Sequence, residues 1–147
     1  MPHLRALRRL TSAQRVLLLQ ASGLLLIIAI RLRLQSFASL MSSIDRRRCA
    51  YAGSPTLAAE RVEEIARWVD VADRHGLLRP SCLRKSLVLA WMLSGHGVVS
   101  TVRIGVAKEQ LQLRAHAWLA VGGVHPQQFF RETEFSDLLS PAPASTA

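Results

Sequence analysis

The apolar residues change period once along the chain, and that change limits the fold more than any other feature. Val62, Ile65, Ala66, Val69 and Ala72 recur at steps of three and four, the spacing of a helix with one buried face. Two adjoining stripes repeat the pattern, one of Cys82, Ser86, Leu89 and Leu93, the other of Leu83, Leu87, Ala90 and Trp91. After Gly95-His96-Gly97, VVSTVRIGVA at 98–107 is β-branched and partly alternating, and LRAHAWLAV at 113–121 alternates throughout. Both read as strands. Helices followed by hairpin-linked strands predict an α+β domain, with N-terminal helices packed on a small antiparallel sheet.

Within the second strand, Leu113, Ala115, Ala117, Leu119 and Val121 share one face, while Arg114, His116, Trp118 and Ala120 share the other. The KEQLQ run is a turn or short loop. Gly122-Gly123 is a hairpin signal that would return VHPQQFF as a third strand, and Pro126 confines that strand to an edge or a short length. RETEFSDLL reads as a helical turn, and residues 140–147 as a flexible tail.

One domain accounts for all 147 residues, with three regions: a basic hydrophobic helical segment at 1–48, a core at 54–123 and the tail. Residues 1–48 carry nine arginines and one acid, Asp45, a balance of +8. The remainder holds ten basic and nine acidic residues, so the charge is concentrated in the first third. Residues 13–41 read as one helix. Their uncharged window, 16–30, is 15 residues long and falls short of the roughly 20 that a spanning helix needs. The run ends in RLRLQS, which lacks the small residues of a signal-peptidase site. Burial against the domain is the first reading, and contact of residues 1–41 with an anionic membrane surface through Arg5, Arg8, Arg9, Arg31 and Arg33 is the second. Nothing in the segment has the interleaved aromatics or finger spacing of a nucleic-acid binder.

DRRRCAYAGSPT at 45–56 reads as a connection, with Ser54 capping the next helix, Pro55 at its first position and Gly76 as a left-handed cap at its end. Cys49 then sits in a loop. Two cysteines are too few for a secreted disulfide scaffold and fit a reducing, cytoplasmic setting. No CxxC, HxxxH or phosphate-cradling glycine loop is present, so neither a metal nor a nucleotide cofactor is expected.

The chemistry centres on PSCLRKS at 80–86. A thiolate is the nucleophile, and the positive end of a helix and a nearby imidazole both favour it. Cys82 opens a helix, and His116 stands on a strand that this helix can cover. His75, His96 and His125 lie beside Gly or Pro in turns, where surface histidines are common; His125 is the replacement worth testing. The bland reading of Cys82 is a small packed core residue.

CLRKSLVLAWMLSGHGVVSTVRIGV followed by LRAHAWLAVGG resembles the transglutaminase-like peptidases of lasso-peptide biosynthesis, the B-type proteins, in their stand-alone split form. The shared pattern is Cys-Leu at a helix start, a strand ending Ile-Gly-Val, and Ala-His-Ala-Trp before a glycine turn, all within residues 81–123. The resemblance implies a transglutaminase- or papain-like core in which Cys82 attacks and His116 serves as base and acid. It also implies partners: the leader region of a precursor peptide, a separate leader-recognition protein and an ATP-dependent lasso cyclase. The family's orienting Asp falls here on Gln127-Gln128, a departure. Gln128 is the first candidate for that role and Gln127 the second, with Asp137, Glu132 and Glu134 as substitutes. An amide oxygen can hold an imidazole tautomer but cannot balance an imidazolium as a carboxylate does. Two other readings stay open on the same residues: transamidation, and a non-catalytic scaffold or membrane-associated adaptor in which Cys82 is inert.

Overall fold

The structure, a computed structural model, is described for residues 10–55, 57–109, 112–122 and 136–137. Among the described residues, four helices precede a three-stranded antiparallel sheet: α1 Ser12–Leu34, α2 Phe37–Ala50, α3 Ala59–His75, α4 Cys82–Ser94, β1 Ser100–Glu109, β2 Gln112–Val121 and β3 Ser136–Asp137, in the sheet order β2-β1-β3. The α+β expectation holds.

A capping box starts α1. Thr11 Oγ1 accepts the Gln14 N–H at 3.3 Å, and Gln14 Oε1 accepts the Thr11 N–H at 3.0 Å, which satisfies two donors that a helix start leaves open. The helix ends where Gln35 turns extended. Ser36 then caps α2 by accepting the Ser39 N–H at 3.2 Å. Residues 13–41 are therefore two helices rather than one, because Ser36 offers the backbone an N-cap inside what the apolar pattern reads as continuous.

The second helix runs through DRRRCA to Ala50, so half of the expected connection is helical and Cys49 is an exposed helix residue. Nor do Ser54 and Pro55 start the next helix. Ala58 holds the N-cap position of α3 with no side-chain bond. Gly76, expected left-handed, has φ −76° and ψ −179°. Glycine is required there for space: a Cβ would stand 2.5 Å from the Ala72 carbonyl oxygen. The left-handed glycine of this region is Gly97, at φ 68°, where a Cβ would stand 2.5 Å from the Tyr51 carbonyl oxygen. It lets the α4–β1 turn press on the end of α2.

One core joins all four helices to the sheet. Leu17, Ala21, Leu25 and Ile28 of α1 meet Ile65, Ala66, Val69 and Ala72 of α3 and Leu87, Val88 and Leu93 of α4, closed below by Val102 and Leu119. Removing a fully buried Leu or Ile side chain from water contributes about 1.5–3 kcal/mol. The +8 segment is thus structural as well as basic. Two of its arginines cover α4: the Arg31 and Arg47 guanidinium carbons lie 5.3 and 5.2 Å from the Trp91 ring centroid.

The strands extend the expected hairpin to Glu109 on one side and Gln112 on the other, leaving only residues 110 and 111 between them. Register pairs Val102 with Leu119, Ile104 with Ala117 and Gly105 with His116. Val102 and Leu119 face the helices. His116 and Trp118 project from the opposite face, as alternation predicts. The third strand expected at VHPQQFF lies outside the described residues. Ser136–Asp137, expected within a helical turn, instead pairs with β1.

Candidate active site

Cys82 is the first residue of α4 and half-buried, and both it and Cys49 are free thiols. Ser81 makes the helix start. Its Oγ accepts the Arg84 N–H at 3.4 Å and its carbonyl accepts the Lys85 N–H at 2.9 Å. Of the four N–H groups that a helix start leaves without intrahelical partners, those of Cys82 and Leu83 remain directed out of the N-terminus. The oxyanion of a tetrahedral intermediate held at that end is favoured by the helix dipole.

A buried carboxylate fixes this helix start. Asp73, in the last turn of α3, accepts the Ser81 N–H at Oδ2 (3.1 Å) and the Arg84 Nη2 at Oδ1 (3.4 Å). It is 4% exposed and its partner Arg84 13%. The same guanidinium donates to the Arg79 carbonyl, so one ion pair ties the approach segment 79–81 to both helices. A second pair flanks it: Lys85 Nζ and Arg74 Nε each lie 2.8 Å from a carboxylate oxygen of Asp70. The basic charges of the first turn of α4 are therefore answered by acids of α3.

One turn beyond Cys82, Ser86 is buried and donates its hydroxyl to the Ala117 carbonyl at 3.2 Å. Ala117 is the chain neighbour of His116. This bond registers the Cys82 end of α4 against the histidine strand. His116 is half-buried, and its ring stacks on Trp118 with centroids 6.3 Å apart and planes 20° from parallel.

Across the sheet, His116 pairs with Gly105, and Gly105 pairs on its other side with Asp137. The three occupy one row, about 10 Å from end to end by strand spacing. Gly105, in the middle of the row, carries no side chain of its own. Gln127, Gln128, Glu132, Glu134 and His125 lie outside the described residues. His75 is exposed at the end of α3 and His96 exposed in the turn after α4, each apart from this row. Among the described residues, no three His, Cys, Asp or Glu side chains form a group that could hold a metal.

A family model of the transglutaminase-like superfamily matches residues 24–139, well over half of the chain. The chain belongs to the transglutaminase-like superfamily. No curated protein and no solved structure matches it. The matched stretch begins within α1 and ends just past β3, so it takes in the core helices and all three strands of the transglutaminase-like domain. This superfamily includes cysteine peptidases and transglutaminases. Asp73, Arg84 and Ser86, whose bonds in this chain hold the helix that Cys82 opens, are invisible to motif reading. Asp73 lies on a helix whose other described acids, Glu60, Glu63, Glu64 and Asp70, are exposed or half-buried, and its full burial sets it apart.

Proposed function

We propose that this transglutaminase-like protein is a cysteine peptidase that removes the leader from a ribosomally made lasso-peptide precursor. The observation that carries the reading is the Ser86–Ala117 hydrogen bond, which holds the helix opened by Cys82 on the strand that bears His116. The similarity of residues 81–123 to the leader peptidases supports the choice of substrate.

In the proposed reaction, His116 takes the thiol proton as Cys82 Sγ attacks the scissile carbonyl carbon. The developing oxyanion is met by backbone N–H groups at the start of α4. His116 returns the proton to the departing amine, the carbonyl re-forms as a thioester, and the C–N bond breaks. Water, deprotonated by the same imidazole, then hydrolyses the thioester and regenerates the thiol. The released core peptide carries a free N-terminal amine, the group an ATP-dependent cyclase joins to an acidic side chain. A separate leader-recognition protein presents the precursor.

The orienting role falls to Gln128 or Asp137. The register favours Asp137, which shares a row with His116 and would supply the charge that an amide lacks.

Incubation of the purified chain with a precursor peptide and its leader-recognition protein, followed by intact-mass analysis, tests the reading. Expected products are a leader with a free carboxylate and a core with a free amine, both absent with Cys82→Ser. Asp137→Asn should slow the reaction at least tenfold and Gln128→Ala much less; the reverse order would assign the role to Gln128. Leader recovered as an amide adduct would mark transamidation. Cleavage that survives Cys82→Ser contradicts the mechanism.

A further inference from the structure

We infer that the outward face of α1 docks on an anionic membrane surface, a property independent of the peptidase reading. The helix is apolar on two opposite sides. Leu17, Ala21, Leu25 and Ile28 are buried in the core. Val16, Leu19, Leu26, Ile27, Ile30 and Leu34 recur at helical spacing on the other side and are between 40 and 81% exposed. Single exposed apolar residues are ordinary, but six on one stripe are not.

The occupant is selected by charge and shape. No acid occurs between residues 12 and 34, and Arg15 and Arg33 stand five helical turns apart along one edge of the stripe. Residues 1–9 add Arg5, Arg8 and Arg9 to the sequence. An apolar band with cations along one edge and no acid on its helix matches a bilayer with anionic headgroups: the apolar side chains enter the acyl boundary and the guanidinium groups reach phosphates. A groove of about 890 Å³ opens beside the stripe, lined by Val16, Leu19, Ile27 and Trp91. Ile30 and Leu34, 57 and 81% exposed, lie outside it. A peptide seated in the groove would leave them in water, whereas a planar surface covers the whole crest.

Although α1 is 23 residues long and holds an 18-residue window of mean hydropathy 1.9, long and apolar enough to cross a bilayer, crossing would strip Leu17, Ala21, Leu25 and Ile28 from the core. The helix therefore lies along the surface rather than through it.

Co-sedimentation of the full chain with sucrose-loaded vesicles tests this. Vesicles of phosphatidylcholine with one quarter phosphatidylglycerol should pellet the protein at least tenfold more effectively than phosphatidylcholine alone. Ile30→Gln/Leu34→Gln should abolish that binding with an unchanged circular-dichroism melt, and Arg15→Gln/Arg33→Gln should remove most of the preference for anionic vesicles. Equal binding to both vesicle types, or full binding by Ile30→Gln/Leu34→Gln, overturns the proposal. So does a stable dimer in light scattering that this double variant dissociates, since a second copy would then be the occupant.

Discussion

Ser86 and Ala117 are 31 positions apart in the chain, yet the serine hydroxyl rests on the alanine carbonyl at 3.2 Å inside the core. The bond connects one helical turn after Cys82 with the residue after His116. Placement of the helix that Cys82 opens against the strand that carries His116 thus rests on a neutral hydrogen bond.

Ser86→Ala keeps the packing volume and removes the donor. The Ala117 carbonyl loses that partner, and the expected cost is about 1–2 kcal/mol of unfolding free energy in urea. The kcat for peptide cleavage should fall with KM little changed, because orientation of the reacting groups is affected rather than peptide binding. Unchanged stability and kcat would mean that this contact does not register the two elements.

Asp73 answers both the Ser81 N–H and the Arg84 guanidinium while almost wholly buried. Asp73→Ala leaves a buried cation without its carboxylate, a change that costs about 3–5 kcal/mol. Asp73→Asn retains an acceptor for Ser81 and should lose less. Urea midpoints for the two variants check the order, and equal, small losses would show that Arg84 is satisfied elsewhere.

Gly97 combines a φ of 68° with a backbone neighbour at 2.5 Å from any added Cβ. Gly97→Ala should cost at least ~1–2 kcal/mol from the left-handed conformation alone, with the Tyr51 contact adding to it. A calorimetric melt reads the loss directly. A melting temperature equal to that of the parent would contradict the described turn.

The sequence makes the change of period plain, and with it the helix 82–94, the hairpin strands and the face on which His116 lies. These elements were legible because their apolar residues recur at helical or strand spacing, although Ser86–Ala90 of the helix and Ala117–Ala120 of the second strand are each buried without a break. The N-terminal 50 residues were less so. There both sides of α1 are apolar, the pattern has no preferred face, and one serine N-cap at Ser36 ends a helix that hydropathy alone would continue. The Ser54-Pro55 start was a sound local signal overridden by tertiary packing that begins α3 at Ala59. Cys82 and His116 were singled out by their motifs, whereas the buried Asp73 beside the Cys82 helix was not. A buried acid on an amphipathic helix looks like any surface acid until the segment that covers it is in place. The row of His116, Gly105 and Asp137 depends on a register that crosses three strands, which no local pattern encodes.

The most direct test of the central claim, that Cys82 and His116 act as a pair, is iodoacetamide labelling at pH 6.5, read by peptide mapping so that Cys82 and Cys49 report separately. Cys49 is the more exposed thiol, so accessibility alone would make it the faster. The account predicts the opposite: Cys82 labels at least tenfold faster, and His116→Ala brings it down to the rate of Cys49 or below. Equal rates in the parent protein, or fast Cys82 labelling that persists in His116→Ala, would contradict the pairing and leave Cys82 as a packed thiol at the start of a helix.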